Sequence, residues 1–283
     1  MIGRDPASGP VRAALVQVAS PDDELPEQRR ERILRLLQKA PRCDLYVLPE
    51  LWAPAYFSFE YYAERAETVT GPTLSMLAQF ARDSAAYVHV GSFLEDRGNG
   101  MVSNTAALLD PRGTVVSTYA KIHVFGYQSA EAELLVPGES VSVVDTRYGP
   151  IASTTCYDLR FPGLWQRLSD LGAQIAVVPA AWPSARLEHW RLFTSTRAVE
   201  HQMFVLACNA AGEQQGVALG GHSRVIDPWG TVLLELGAEP EIGVCELDPD
   251  QVRAVRAEFP VLADRLRSYD LLPNHERSEH AAR

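Results

Sequence analysis

Short apolar runs rich in Val, Ile and Ala recur along the chain, each four to eight residues long and bounded by Gly, Pro, Asp or Asn. Runs of that length with those boundaries predict strands. They fall at 12–19, 44–49, 87–94, 104–110, 114–120, 141–146, 150–155, 174–179, 203–209, 223–227, 231–236 and 242–247. Between some of them the period changes. Residues 23–39 place apolar side chains at helical spacing against a charged face, and 186–202 do the same. Further helices are predicted at 72–85, opened by Pro72 and Thr73, at 161–171, and at 250–268 with an interruption at Pro260.

Helices alternate with strands at both ends of the chain, whereas the middle is strand after strand. That mixture predicts two β-sheets packed face to face with helices on the outside. The sequence contains no internal repeat, low-complexity stretch or Pro/Gly/Ser linker, so residues 1–268 are expected to form a single domain. The polar segment 269–283 is expected to be a tail, mobile or held at an interface.

Composition narrows the partners. The chain has 283 residues, 46% of them hydrophobic, enough for a sizeable core, and no apolar run approaches the length needed to cross a bilayer. A net charge of -10 argues against nucleic acid and against an anionic membrane surface, both of which call for a basic face. Four cysteines without a CxxC pair are too few for a disulfide framework, and MIGRDPASGPVR lacks the apolar core of a secretory signal. A reducing, cytoplasmic setting is therefore expected. No His/Cys metal-ligand spacing appears, and no cofactor is expected.

Three apolar runs stop at a chemically capable residue. In YVLPELW the strand runs into Glu50, whose carboxylate would lose hydration between Pro and Leu-Trp and so become a better base. A turn carboxylate paired with a cation is the plainer alternative. In STYAKIHVFG, Lys121 follows a strand among apolar neighbours, where it must be paired, neutral or aimed at a cavity. It can stabilise an oxyanion or simply form a structural ion pair. His123 is taken as a hydrogen-bonded structural residue. In IASTTCYDLRFP a strand leads to Cys156 and then to a helix, an arrangement similar to a nucleophile elbow. A nearby cation such as Lys121 is expected to lower the thiol pKa.

LPELW, YAKIHVF and CYDLRFP, in this order, resemble the Glu, Lys and Cys motifs of the nitrilase, or carbon–nitrogen hydrolase, superfamily. AAWP at 180–183, HW at 189–190, TRAVEHQMFVLACNAAG at 196–212 and GGHSRVIDPWGTVL at 220–233 extend the resemblance over about residues 12–250. The resemblance implies an α/β four-layer αββα sandwich and a Glu50–Lys121–Cys156 triad. It also implies a second active-site glutamate ahead of Pro137-Gly138, assigned to Glu131 with Glu133 as the alternative. CYDLRF is similar to the amidase branch that includes omega-amidases and deaminated-glutathione amidases.

The activity implied is hydrolysis of a small amide through a thioester. Nitrile or N-carbamoyl hydrolysis, acyl transfer to an amine, and a non-catalytic paralogue remain open. Arg160 is expected either to bind a substrate carboxylate or to fix the turn to Asp158 or the C-terminal region. Tyr157 is expected to supply an oxyanion N–H, and Trp182 lines the pocket or belongs to the core. The resemblance implies a homodimer or higher homo-oligomer, paired here through the helix after Cys156 and the region from Gln251.

Overall fold

The apolar runs assemble into two six-stranded sheets in the computed structural model, which describes residues 9–266. One sheet holds β1 (Val11–Gln17), β2 (Leu45–Val47), β3 (Tyr87–Asp96), β4 (Val102–Leu109) and β5 (Val115–Ala120), joined by β14 (Glu241–Leu247) from the far end of the chain. The other holds β6 (Ser142–Thr146), β7 (Gly149–Ser153), β8 (Ile175–Ala180), β9 (Phe204–Asn209), β12 (Arg224–Ile226) and β13 (Val232–Glu235). A small ribbon of β10 (Glu213–Gln214) and β11 (Val217–Ala218) lies outside both.

The two sheets share one plan. The first runs β14-β1-β2-β3-β4-β5 and the second β6-β7-β8-β9-β12-β13. In each, neighbours pair antiparallel, parallel, parallel, antiparallel, antiparallel. The parallel steps are bridged by helices: α1 (Pro26–Lys39) and α2 (Pro72–Ser84) in the first unit, α4 (Pro162–Asp170) and α5 (Leu187–His201) in the second. The topology is thus duplicated although the sequence carries no repeat. The remaining helices are α3 (Glu131–Leu134), α6 (Asp250–Glu258) and α7 (Val261–Asp264).

Side-chain alternation sets the layers. In β1, Ala13 and Leu15 point inward and Ala14 and Val16 outward; in β8, Ile175 and Val177 point inward and Ala176 and Val178 outward. The inward sets interdigitate with Val47, Leu108, Ile151 and Leu206 between the sheets. The outward sets pack under Ile33, Leu37, Leu77 and Phe80 on one side, and under Trp165, Leu168 and Trp190 on the other. The result is the expected αββα sandwich. Strands buried on both faces explain why the sequence shows continuous apolar runs rather than alternation.

The predicted helices form with trimmed ends. Pro26, Pro72 and Pro162 each open a helix, where a missing N–H costs nothing. The C-terminal helix breaks at Phe259-Pro260 into α6 and α7. The tail assigned to 269–283 lies outside the described residues. Among the described residues, no helix is long and apolar enough to cross a membrane.

Candidate active site

The candidate residues sit at corresponding ends of strands in both sheets. Glu50 follows β2, Lys121 directly follows β5, Cys156 lies beyond β7, and Ala181 directly follows β8. Two glycines allow this convergence. At Gly91, with φ +74°, a Cβ would stand 1.9 Å from the Pro49 carbonyl oxygen; at Gly138 it would stand 2.1 Å from that of Ala120. The backbones carrying Glu50 and Lys121 therefore lie directly on glycine. Gly138 N–H also donates to the Lys121 carbonyl at 2.9 Å.

The polar side chains form one buried cluster. Lys121 Nζ donates to Glu50 Oε1 at 2.9 Å and to Glu131 Oε1 at 2.8 Å, with all three side chains fully buried. Asn104 of β4 donates to Glu50 Oε1 at 2.8 Å and to Glu131 Oε1 at 3.3 Å. Tyr56 donates its hydroxyl to Glu131 Oε2 at 2.7 Å, and Ala181 N–H donates to Glu50 Oε2 at 2.8 Å. Glu131 thus occupies the cluster from the first turn of α3, while Glu133 is exposed.

Cys156 has φ +46°, a left-handed backbone that a non-glycine residue adopts only when its surroundings impose it. A tight turn over Cys156–Arg160 imposes it, and buried Asp158 holds that turn. Asp158 Oδ2 accepts Thr155 N–H at 3.0 Å and the Tyr119 hydroxyl at 2.7 Å. Its Oδ1 accepts the His123 backbone N–H at 3.1 Å and the ring Nδ1–H at 2.7 Å. His123 is therefore the structural residue expected, stacked 3.6 Å from the Phe161 ring. Asp158 does not pair with Arg160, so of the structural contacts expected for that arginine the one to Asp158 is not formed.

Burial dominates the electrostatics. Loss of water, reinforced by Glu131, outweighs Lys121 and raises the Glu50 pKa above the ordinary glutamate value. Burial disfavours the Lys121 ammonium, but the Glu131 and Glu50 carboxylates overcome it and raise the lysine pKa. Burial and then Glu50 lift the Cys156 thiol well above a free cysteine, against the pull of Lys121. Lys121 does act on the thiol in the expected direction, yet burial and Glu50 outweigh it and the net shift is upward. The arrangement sets the Cys156 thiol against the Glu50 carboxyl group, with Lys121 held beside it. Among the described residues, no group of three or more His, Cys, Asp or Glu side chains has the placement of a metal site.

Cys156 opens onto a cleft of about 240 Å³ whose lining includes Tyr56, Phe125, Tyr157, Arg160, Trp182 and Arg186. Tyr157 packs edge-on against Phe125 and Phe161. Trp182 meets both expectations: it lines the cleft and also packs against Trp190 in the outer core, with its Nε1–H donated to the Arg186 carbonyl at 2.8 Å. Arg160 lies over the Trp182 ring at 4.8 Å and donates to His189 Nδ1 at 3.3 Å. Asn104, Tyr56, Asp158, Arg186 and the Ala181 N–H were not singled out as site residues from the sequence.

An αββα sandwich with a buried carboxylate–ammonium–thiol cluster at its strand ends has the architecture of a carbon–nitrogen hydrolase. The chain belongs to the carbon–nitrogen hydrolase family, which it matches over residues 12–257. It is 38% identical over 267 residues to a 2-oxoglutaramate amidase of Paenarthrobacter nicotinovorans, covering 92% of this chain and 91% of the relative. It is 30% identical over 277 residues to an omega-amidase of Xenopus tropicalis, covering 94% and 98%. Among solved structures, a superfamily member from Xanthomonas campestris with an arsenic adduct in its active site superposes with a TM-score of 0.84 at 28% identity, covering 91% and 98%. A double mutant of the amidase from Nesterenkonia sp. AN1 in complex with acrylamide gives 0.77 at 27%, covering 92% and 100%.

Proposed function

We propose that this enzyme hydrolyses a small amide bearing a distant carboxylate to the acid and ammonia, through a thioester on Cys156. The reading is carried by one observation: Glu50 Oε1 bonds Lys121 Nζ while the same carboxylate faces the Cys156 thiol. The thiol proton passes to Glu50 as sulfur attacks the amide carbon. Lys121 and the Tyr157 backbone N–H receive the oxyanion, and Glu131 fixes Lys121. The C–N bond breaks, the nitrogen takes the proton from Glu50 and ammonia leaves. Glu50 then takes a proton from water as its oxygen attacks the thioester carbon; the C–S bond breaks, the acid leaves, and the proton returns from Glu50 to the Cys156 sulfur. Relatives named for 2-oxoglutaramate and omega-amides support the substrate class, and Arg160 is the cation proposed to meet the carboxylate.

Ammonia release from a panel of amides and nitriles tests the activity. Cys156→Ala should lose at least about 10³-fold, as expected for removal of a nucleophile, while keeping its circular dichroism. Retention of a tenth of wild-type turnover would remove Cys156 from the mechanism.

We place the single catalytic domain at 1–268, in the cytoplasm, consistent with four free cysteines. The assembly is proposed to be a homodimer. Exposed Leu192 and Val199 lie on one stripe of α5, the turn at Gly230 abuts Val199, and exposed Trp229 stacks on exposed Phe259. Exposed apolar side chains grouped in this way suit a partner copy. Light scattering should give twice 31.2 kDa at micromolar concentration, and a monomer there would refute it.

A further inference from the structure

Arg186 is the second guanidinium on the Cys156 cleft, and nothing in the proposed chemistry employs it. It is half-buried immediately before α5. Its backbone is anchored, since its carbonyl accepts the Trp182 indole N–H at 2.8 Å. Its guanidinium lies 5.8 Å from the Phe125 ring centre and, among the described residues, makes no side-chain hydrogen bond and no ion pair. Three other half-buried or buried arginines are satisfied within the protein: Arg191 by Glu235 and Glu188, Arg197 by Glu200 and the Leu159 carbonyl, Arg256 by three carbonyls.

Arg186 lines the same cleft as Arg160. It is close enough to Arg160 for its charge to disfavour the Arg160 cation, alongside the effect of burial. Two like charges beside one small cleft, with no protein carboxylate among the described residues to separate them, are an unfavourable arrangement that an anion between them would relieve. The anion cannot sit deeper. The floor of the site holds Glu50 and Glu131 against the single ammonium of Lys121, which repels a carboxylate from the reacting end. A cleft of about 240 Å³ leaves room for a short chain between the two ends.

We propose that Arg186 is the second arm of a carboxylate clamp with Arg160, which selects short ω-amides whose far end is a carboxylate. This rests on the amidase reading above for the orientation of the ligand, but the clamp can be measured without turnover.

The test is calorimetric titration of the Cys156→Ala protein with glutaramate, and with pentanamide as its neutral counterpart. Adding Arg186→Gln should weaken glutaramate binding about tenfold, the loss expected for one charged hydrogen bond, and leave the ratio for pentanamide near one. Arg186→Lys should restore part of the affinity, which also shows that the position tolerates substitution. Undiminished glutaramate binding, equal losses for both ligands, or no glutaramate binding before the change would each overturn the clamp. If glutaramate binds through Arg186 yet the wild-type enzyme releases no ammonia from it, the amidase reading fails while the clamp stands. If wild type cleaves glutaramate and Arg186→Gln binds it as before, the clamp fails and the amidase reading stands.

Discussion

Asp158 Oδ1 accepts the ring Nδ1–H of His123 at 2.7 Å, and this bond ties the turn bearing Cys156 to the segment bearing Lys121. Asp158 also receives Tyr119 and Thr155, so one carboxylate sets the separation between the proposed nucleophile and the ammonium. Asp158→Asn turns one acceptor atom into a donor and confronts it with N–H or O–H groups already aimed inward. Unmet buried donors cost about 1–3 kcal/mol, so the melting temperature should fall by several degrees. Turnover should fall about ten- to a hundredfold with KM little changed, because positioning rather than binding is lost. A proportional rise in KM would mean that the cleft itself had been reshaped.

Removing the ammonium should be costly twice over. Lys121→Met leaves Glu50 and Glu131 buried without their cation, and breaking such a buried pair costs about 3–5 kcal/mol. Chemical denaturation should register that loss, and ammonia release should be near background. Glu50→Gln should be similarly inactive, and the double variant no less active than either single one, since groups acting as a unit are not additive. Multiplicative losses would assign the two residues to separate steps.

The pH profile should carry the signature of a buried base. Glu50 must be ionised to accept the thiol proton, and burial raises its pKa. The acid limb of kcat/KM should therefore lie above the ordinary glutamate value of about 4.3, with activity falling as pH drops through the raised value. On the alkaline side Lys121 is shifted upward, so its ammonium persists and loss of its charge should not end activity below about pH 10. An acid limb at or below the free glutamate value would contradict the assignment of Glu50.

Gly138→Ala offers a test remote from the reacting atoms. Its Cβ would lie 2.1 Å from the Ala120 carbonyl oxygen, a backbone atom that cannot swing aside. The strand end carrying Lys121 must then shift, at a cost of about 1–3 kcal/mol for overpacking. Thermal unfolding and turnover should both decline; wild-type values for both would show that the close approach has no consequence.

The central strands were legible because they are buried on both faces and bounded by breakers, and the proposed triad because each member stands at the end of an apolar run. Other parts left weaker traces. Asn104 sits inside NTAALLD, where strand periodicity conceals a donor reaching two carboxylates. The Ala181 contribution is a backbone N–H, which any residue there would supply. The α3 helix of four residues is too short for a period, so only burial separates Glu131 from Glu133. The direction of the thiol shift depends on how deeply Cys156 lies, a three-dimensional quantity that a neighbouring lysine in the sequence does not report.

Glu50 comes from one sheet, and the Ala181 N–H that binds its Oε2 comes from the other. The proposed catalytic machinery is therefore assembled across a seam, and no layer contains it whole. A slip of one sheet over its counterpart by the length of a hydrogen bond would separate base from thiol while every strand ladder and helix survived. Catalysis in this protein acts as a vernier on the alignment of its two halves, more sensitive to their mutual displacement than any measure of secondary structure.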